Sequence, residues 1–416
     1  MIFSKWLEEQ PLQLKQHINH LIEKASQNLD RHHSPLFWFP SHDPYQMAAH
    51  FFACCKAGKI FIPINPESKI FQQNNLIKGL SHSGKLPREA CLGIFSSGTT
   101  GKPKLVLHSW KNIISSIAGS LEFYQWEGPL NCLQTLSVSH IGGFMQTMRS
   151  LLTGGYVFTG GGPSKVCEDI NRFEQIHTLS LVPTQLQAIL NSKSSLEAAK
   201  RLKFILVGGA KCSDSIAIRA IQLGLPISLT YGSTETCAQV AATKVGTHQP
   251  MIPLPSREIR ETHGTISIKG STFLGIIPWG KAYKSSSLDK GFYTSQDRGA
   301  VTNGHLAITG RRDDIFQCGG ENISPAEIKA ILPSYQIDIV PLPDERLGHI
   351  PVLVHHGDSS KETEKLIAKI QNTLVRAKQP RRYIWMKEGV ATTKLSPTKL
   401  LEFLHNSSET KELETS

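Results

Sequence analysis

The sequence predicts an α/β fold, because short apolar runs alternate along the chain with longer segments of helical periodicity. Residues 93–95, 204–207 and 227–229 have the β-branched, apolar composition of buried strands. Residues 184–190 and 213–221 have the periodicity of helices, the second with Ser213 at its N-cap. Such alternation is typical of mainly parallel or mixed sheets with helices packed on them.

The composition is that of a globular protein. The chain has 416 residues, which is enough for two or three domains, and 39% of them are hydrophobic. No apolar run reaches the roughly 18 residues of a membrane span, so no membrane insertion is predicted. Glu8 and Glu9 interrupt the N-terminus where an export signal needs an apolar core. The eight cysteines lack C-x-x-C spacing, which favours a cytoplasmic protein with reduced thiols over a disulfide framework or a zinc site.

The formal net charge is +11. A basic chain fits two classes of partner, nucleic acids and small polyanions. The lysines and arginines are scattered, and no helix-turn-helix, zinc-finger or RNA-binding pattern is present. We therefore expect no nucleic-acid partner, and a solvated basic surface accounts for most of these charges.

The strongest local signal is residues 94–104, which read IFSSGTTGKPK. Glycines let the backbone N–H groups approach phosphate oxygens, while the hydroxyls add donors and the lysines add charge. The spacing does not satisfy the Walker A pattern, and no G-x-S-x-G nucleophile turn is present. The composition favours a polyphosphate cradle over a plain flexible turn. The predicted contacts are Ser96, Ser97, Gly98, Thr99, Thr100, Gly101 and Lys104.

The stretch SSGTTGKPKLVLHS, residues 96–109, resembles the signature of the adenylate-forming superfamily, which includes acyl- and aryl-CoA synthetases, adenylation domains and luciferases. Further segments resemble that family's motifs in the same order: AGKIFIPINP, SVSHIGG, LVPTQL, LVGGAKCS, YGSTETCAQ, GFYTSQDRG and GRRDDIFQCGGENISPAEI. The ordered set spans nearly the whole chain. The resemblance implies an AMP-forming ligase that uses ATP and Mg²⁺ to turn a small carboxylic acid into an acyl-adenylate, with CoA as co-substrate.

The resemblance also implies two domains. Residues 1–310 would form a large ATP- and acid-binding domain of mixed sheets with packed helices. Residues 311–416 would form a small, mobile α+β domain that carries the catalytic lysine. The sequence becomes short, polar and charged at residues 310–314, as expected of a domain boundary. Asp313 matches the hinge position, where a few residues absorb large backbone changes.

Family motifs assign the nucleotide contacts. Tyr231 would stack on adenine, and Glu235 would be a ligand of Mg²⁺, a hard cation that takes oxygen ligands. Asp297 and Arg311 would reach the ribose hydroxyls. The remaining members of this set are Gly209, Ala210, Gly232, Ser233 and Thr234. Each assignment has a structural alternative. Glu235 could be a surface glutamate in a turn, Asp297 and Arg311 could form a surface ion pair, and the segment after residue 207 could serve tight strand–loop packing.

The catalytic lysine falls in GVATTKLSPTKLLEFL, near the C-terminus. The family pattern here is P-x-T-x-x-G-K-I-x-R, and Lys394 is the best match. Thr393 replaces the usual glycine and Pro397 the usual arginine, so Lys399 remains a rival and two solvated lysines remain an alternative.

Two further motifs have implied roles. His140, in SVSHIGG, matches a histidine that borders the acid pocket near the reacting carboxylate, although a lone histidine is often a packed structural residue. Gly319 and Gly320 match the turn that faces the pantetheine channel of CoA, with an ordinary tight turn as the alternative.

Within the superfamily the chain most resembles the 2-succinylbenzoate–CoA ligases of menaquinone biosynthesis. The chain is short, its phosphate loop lies near the N-terminus, and TETCAQ follows residue 233. Arg149 falls where that subgroup has a basic residue facing the acid. A buried arginine can bind a second carboxylate in bidentate fashion, whereas the alternative is an arginine on a helix surface.

Three other functions remain open at this stage: a ligase for another aryl or fatty acid, a free-standing adenylation enzyme, and a degenerate nucleotide-binding protein without catalysis. Thr393 and Pro397 argue for degeneration, whereas four intact residues argue against it: Lys104, Glu235, Asp297 and Arg311. Superfamily members often self-associate, and a homo-oligomer is left open too.

Overall fold

The computed structural model describes residues 2–29, 34–67, 85–97, 103–270, 272–278, 281–311, 316–318, 321–332, 335–344, 347–356, 360–374, 379–386 and 411–414. The chain divides into a larger unit, residues 1–295 with 300–307, and a smaller unit, residues 296–299 with 308–416. The boundary after residue 310 and the mobility of the second domain stay predictions.

The larger unit combines helices with two large sheets. Its helices are α1 (Ile2–Glu8), α2 (Leu12–Leu29), α3 (Pro44–Ala57), α4 (Trp110–Phe123), α5 (Ile141–Leu152), α6 (Val166–Arg172), α7 (Pro183–Leu190), α8 (Lys193–Lys200) and α9 (Asp214–Gln222). The strands up to residue 311 are β1 (Leu36–Pro40), β2 (Ile60–Ile64), β3 (Ala90–Ser97), β4 (Pro103–Ser109), β5 (Cys132–Leu133), β6 (Val157–Phe158), β7 (Thr178–Leu181), β8 (Phe204–Val207), β9 (Ile227–Ser233), β10 (Ala238–Thr243), β11 (Met251–Pro253), β12 (Glu258–Thr262), β13 (Thr265–Lys269), β14 (Gly275–Pro278), β15 (Lys284–Ser285), β16 (Phe292–Thr302) and β17 (His305–Arg311).

Both sheets are mixed. The first has the order β1-β2-β3-β4-β14-β15, parallel through β3 and antiparallel beyond it. The second has the order β12-β13-β16-β17-β11-β10-β9-β8-β7-β5-β6. It is parallel from β9 to β6 and antiparallel from β9 to β11. This arrangement confirms the predicted α/β class with mixed sheets.

The predicted elements are confirmed where the sequence pattern was strongest. The run 204–207 is β8, and all four of its residues are buried. Helix α9 begins at Asp214, and the Ser213 hydroxyl caps it by accepting a hydrogen bond from the Ile216 N–H at 3.4 Å. The runs 93–95, 227–229 and 184–190 lie within β3, β9 and α7.

An aromatic core fixes the helices that carry candidate site residues. Phe51 of α3 meets Phe144 of α5 edge-to-face, with ring centroids 5.0 Å apart, and stacks near Trp110 of α4 at 5.8 Å. All three rings are buried. Aromatic contacts of this kind add to the free energy gained from burial, so α4 and α5 have a fixed position against the first sheet.

The smaller unit has its own sheet and core. Its further elements are β18 (Phe316–Cys318), β19 (Glu321–Ile323), α10 (Pro325–Ile331), β20 (Ile337–Asp344), β21 (Gly348–His356), α11 (Ser360–Thr373), β22 (Arg382–Met386) and β23 (Lys411–Glu414). The sheet order is β19-β18-β21-β22-β23, and β20 pairs with β21. Leu353, Ile370 and Tyr383 are buried at its centre.

Two further findings concern the chain as a whole. No helix in the described ranges has both the length and the apolar character needed to cross a membrane. All eight cysteines are free thiols, and six of them are buried.

Candidate active site

The predicted phosphate loop connects two strands of the first sheet. Strands β3 and β4 are antiparallel neighbours, with Ser96 opposite Lys104 and Ser97 opposite Pro103. Ile94 and Val106 pair deeper in the same hairpin and are fully buried, so both ends of the loop are anchored. The loop residues Gly98, Thr99, Thr100 and Gly101 lie outside the described residues.

The YGSTET segment, residues 231–236, covers the end of β9 and leads into the turn before β10 in the second sheet. Gly232 lies opposite Gln239, and a Cβ at Gly232 would lie 1.8 Å from the Ala238 carbonyl oxygen. Cys237 and Ala238 both have left-handed backbones, with φ values of 55° and 71°. A non-glycine residue pays about 1–3 kcal/mol for such a conformation, so the turn needs stabilising contacts from its surroundings.

An ion pair joins the phosphate hairpin to this turn. The Lys104 Nζ lies 2.7 Å from Glu235 Oε1, and the two side chains are 26% and 13% exposed. Burial by itself raises the pKa of Glu235, but the Lys104 ammonium and hydrogen bonds to the carboxylate outweigh it, and the pKa is lowered overall. Glu235 is therefore ionised at neutral pH and lies beside a lysine that can contact phosphate.

The Glu235 carboxylate fits a magnesium site that is completed by other ligands. Mg²⁺ commonly binds one or two carboxylates, with phosphate oxygens and water filling the remaining positions. Within the described ranges no group of three or more His, Cys, Asp or Glu residues is placed to hold a metal ion.

A buried histidine forms a hydrogen bond to the backbone of the same turn. His108 lies four residues after Lys104 on β4 and is 0% exposed. Its Nε2 lies 2.8 Å from the Thr234 carbonyl oxygen, which can only accept a hydrogen bond. Burial lowers the pKa of His108 to about 4, against smaller opposing effects of the Thr234 hydrogen bond and Glu235. The imidazole is therefore neutral, with its proton on Nε2.

Arg149, the predicted acid-binding residue, is buried in α5. It is 7% exposed, so the alternative of a helix-surface arginine is wrong. Its Nη1 and Nη2 each lie 3.4 Å from a serine hydroxyl, Ser120 and Ser180 respectively. No carboxylate among the described residues forms an ion pair with it, and burial lowers the pKa of the guanidinium.

A series of side-chain hydrogen bonds connects Arg149 to the second sheet. The Ser120 hydroxyl donates to Gln239 Oε1 at 3.0 Å, and Gln239 Nε2 donates to the Tyr124 hydroxyl at 2.8 Å. Tyr124 in turn contacts the Ser228 hydroxyl at 2.9 Å. Because each hydroxyl proton is committed along this series of hydrogen bonds, the Ser120 oxygen is left as an acceptor towards Arg149.

His140 lies at the opposite end of the same helix. It is the N-cap of α5 and is exposed, so the structure places it at the surface of the unit and not in a packed core. The helix start lies close to the preceding loop, since a Cβ at Gly143 would lie 2.1 Å from the Ser137 carbonyl oxygen. The role of His140 beside the reacting carboxylate stays a prediction.

The segment after β8 turns sharply. Gly209 has a φ of +77°, and Ala210 after it is exposed. A Cβ at Gly208 would lie 2.3 Å from the Thr230 hydroxyl of β9, so this glycine permits tight packing between neighbouring strand ends. Tyr231 is half-buried in β9, opposite Ala241.

The remaining predicted residues belong to the smaller unit. Asp297 is half-buried in β16, and Arg311 is exposed at the end of β17. Asp313, Gly319, Gly320, Lys394 and Lys399 lie outside the described residues. Their predicted roles as hinge, CoA contacts and catalytic lysine stay predictions.

Several residues that support the site were not predicted from the sequence. His108 could have been found, since it lies on the same strand face as Lys104, four positions away. Gln239 was within the quoted YGSTETCAQ segment. Ser120, Tyr124 and Arg257 carry no sequence signal, because they reach the site only through tertiary contacts.

Known proteins resemble this chain in sequence and in fold. Residues 72–266 match the profile of the family described as AMP-binding enzyme. Over this region, which is just under half of the chain, the protein is similar to members of that family.

Among curated relatives, the chain is similar to two 2-succinylbenzoate–CoA ligases. The Escherichia coli K12 protein is 29% identical over 318 residues, 74% of this chain and 67% of the relative. The Salmonella typhimurium protein is 30% identical over 301 residues, 70% of this chain and 63% of the relative. The matched regions thus span about two thirds of these relatives.

Solved structures show the same fold. An E. coli MenE structure with a bound phenylether-linked analogue of OSB-AMS superposes with a TM-score of 0.75 at 23% identity, covering 94% of each chain. ATP-bound MatB from Rhodopseudomonas palustris gives 0.76 at 17% identity, covering 94% and 93%. Bacillus subtilis MenE in complex with ATP and magnesium gives 0.70 at 20% identity, covering 89% and 90%.

Proposed function

We propose that the protein is an AMP-forming ligase that joins 2-succinylbenzoate to CoA through an acyl-adenylate, which would supply menaquinone biosynthesis. The observation that carries the choice of acid is Arg149, a buried guanidinium with hydroxyl contacts and no carboxylate partner among the described residues. The names of the similar relatives, 2-succinylbenzoate–CoA ligases, support the same choice.

In the first half-reaction a carboxylate oxygen of the acid attacks the α-phosphorus of ATP, and pyrophosphate leaves. No covalent enzyme intermediate is needed, so the protein has to hold two anions together and stabilise the charge that develops. Lys104 would release Glu235 and contact phosphate oxygens. The freed Glu235 carboxylate would hold Mg²⁺, whose contribution is to neutralise phosphate charge.

The adenylate is then attacked by the CoA thiol, and AMP leaves. Tyr231 would lie against the adenine, and Asp297 and Arg311 would bind the ribose. Lys394 would contact the reacting carboxylate and phosphate, Asp313 would act as hinge, and Gly319 and Gly320 would border the CoA channel. These assignments rest on the family resemblance of the motifs.

The physical case for a dicarboxylate starts from the cost of burying a charge. A buried guanidinium without a counter-ion loses several kcal/mol of hydration, which two long contacts to hydroxyls do not restore. A carboxylate arriving with the substrate would supply two charge-assisted hydrogen bonds in the fork geometry of arginine. 2-Succinylbenzoate has two carboxylates, one to react and one to bind Arg149.

The test compares acids that differ by one carboxylate. AMP release is measured with ATP, Mg²⁺ and CoA, using 2-succinylbenzoate, 4-oxo-4-phenylbutanoate and 2-butanoylbenzoate, since each of the last two lacks one carboxylate. Benzoate and octanoate serve as distant comparators. We expect 2-succinylbenzoate to be preferred at least 100-fold in kcat/KM. Preference for a monocarboxylate would contradict the choice of acid while leaving ligase chemistry intact.

A further inference from the structure

We propose that His108 and Arg257 are positioning residues that hold the turn bearing Glu235, and thereby aim its carboxylate at the metal–nucleotide complex. This inference rests on the proposed function, because it assigns Glu235 the role of magnesium ligand. Neither residue was predicted as a site residue from the sequence, although His108 lies within the stretch 96–109 that resembles the family signature.

The first observation is that every backbone carbonyl from residue 234 to residue 238 accepts a hydrogen bond. Four side chains and one backbone N–H group donate these hydrogen bonds, and all but Thr236 lie outside the turn. The donors, in order, are His108 Nε2 at 2.8 Å, the Phe273 N–H at 2.8 Å, Arg257 Nη2 at 2.9 Å, the Ser116 hydroxyl at 2.7 Å and the Thr236 hydroxyl at 2.9 Å.

The second observation is where these donors act. His108 bonds the Thr234 carbonyl of the peptide before Glu235, and the Phe273 N–H bonds the carbonyl of Glu235 itself. Arg257 bonds the Thr236 carbonyl, one peptide further along. The peptide groups on both sides of Glu235 are therefore held from outside the turn, the first by the His108 side chain and the second by the Phe273 backbone, and Arg257 holds the next peptide. Two left-handed residues follow at once, Cys237 and Ala238, so the backbone here would relax without such contacts.

The third observation is that His108 and Arg257 each bury a polar nitrogen that lacks a hydrogen bond to any described residue, which costs free energy of folding. The His108 Nδ1 and the Arg257 Nη1 are buried and have no hydrogen-bond partner in the part of the chain that the structure describes. An apolar residue on the buried face of β4 would avoid that cost. The hydrogen bond from His108 to Thr234 is what a histidine supplies here and a leucine cannot.

Positioning explains this pattern because a magnesium ligand has to meet a narrow geometry. The metal accepts little variation in ligand distance or angle, so a carboxylate on a loose turn would bind it weakly. Residues that hydrogen-bond to a metal ligand without touching the metal commonly fix the orientation of that ligand in this way. His108 and Arg257 would perform that task through the backbone of the turn.

The experiment uses the full-length protein with His108→Leu and His108→Gln, each in the wild-type and the Glu235→Gln background. Leucine removes the donor, whereas the glutamine amide can still donate to Thr234. Isothermal titration measures the Kd of ATP with Mg²⁺ and the Kd of AMP in EDTA. Thermal unfolding checks that each variant is folded, and Arg257→Met is measured in parallel.

We expect His108→Leu and Arg257→Met to weaken ATP binding in Mg²⁺ about tenfold and to change AMP binding less than twofold. His108→Gln should restore the ATP Kd to within threefold of wild type. In the Glu235→Gln background His108→Leu should have no further effect, because coupled residues are not additive. An equal loss for AMP and ATP, or additive losses, would overturn the positioning role.

A second measurement does not depend on nucleotide. Hydrogen exchange at the amides of Thr236 and Cys237 should accelerate at least tenfold in His108→Leu and stay near wild type in His108→Gln. Unchanged exchange in His108→Leu would refute the inference even if the wild-type protein bound no ATP. Absence of ATP binding by wild type, with accelerated exchange in His108→Leu, would instead refute the proposed function alone.

Discussion

Replacing Arg149 with methionine should raise stability and abolish selectivity for the dicarboxylate. Methionine is close to arginine in length and unbranched, so it fills the space in α5 without a charge. The two contacts that are lost, to Ser120 and Ser180, are both 3.4 Å long, beyond the usual range for N–H···O hydrogen bonds. We expect each of them to contribute less than about 1 kcal/mol.

The gain in stability follows from the missing counter-ion. Replacing buried ionic groups by apolar ones of similar volume is often neutral or stabilising by about 1–4 kcal/mol. With weak compensation at Arg149, we expect Arg149→Met to raise the free energy of unfolding by about 1–3 kcal/mol. Urea denaturation followed by circular dichroism measures this change.

The loss of function comes from the same charge. Truncating one partner of a buried, hydrogen-bonded charge pair typically costs about 2–5 kcal/mol. Taking about 3 kcal/mol, kcat/KM for 2-succinylbenzoate should fall by roughly 100-fold. Of the two monocarboxylate analogues, the one that keeps the reacting carboxylate should show less than a threefold change in kcat/KM. The variant therefore loses its preference for the dicarboxylate.

Arg149→Lys is the matched control, because lysine keeps the positive charge but cannot form the two parallel hydrogen bonds that a guanidinium makes to a carboxylate. It should recover less than a tenth of the wild-type preference and show no gain in stability. The reasoning fails if Arg149→Met is less stable than wild type and retains the 100-fold preference. In that case the arginine is a structural residue whose serine contacts matter more than its charge.

Three further predictions concern the nucleotide side of the site. Lys104→Met and Glu235→Gln should each lower ATP–pyrophosphate exchange by about 100-fold, and near-normal exchange in both would show that the ion pair has no catalytic part. His108 has a folded pKa of about 4, below its unfolded value of 6.5, so the protein should lose stability as pH falls from about 6.5 to 4. His108→Gln should flatten that part of a urea-midpoint curve against pH, and an unchanged slope would refute the assignment. Gly232→Ala should abolish ATP binding, measured in a filter assay, because there is no room for the added Cβ. Gly246→Ala is the control: its Cβ would lie in open space at a φ of +75°, so it should cost only about 1–2 kcal/mol of stability and bind ATP normally.

The predictable part of the fold was the part where local pattern and burial agree. The run 204–207 is apolar because β8 is buried in the sheet, and Ser213 is a helix cap because its hydroxyl satisfies a backbone N–H within its own turn. Interactions of this kind lie within a few residues of each other and leave a trace in the sequence. Long-range order does not, and the crossing from β4 to β14 in the first sheet had no local signal.

The candidate site divides in the same manner. Lys104 could be predicted from the composition of the phosphate loop, because phosphate binding constrains residue types over a short stretch. Glu235 was predicted from the resemblance of YGSTET to a family motif. That the two side chains meet at 2.7 Å depends on how the two sheets pack. For Arg149 the sequence left burial and exposure both open, and only the packing of α5 on its neighbours decided that the charge is buried. His108 and Arg257 became visible as supports of Glu235 only in the tertiary structure, because a hydrogen bond to a backbone carbonyl more than a hundred residues away along the chain, as from His108, imposes no pattern on neighbouring residues.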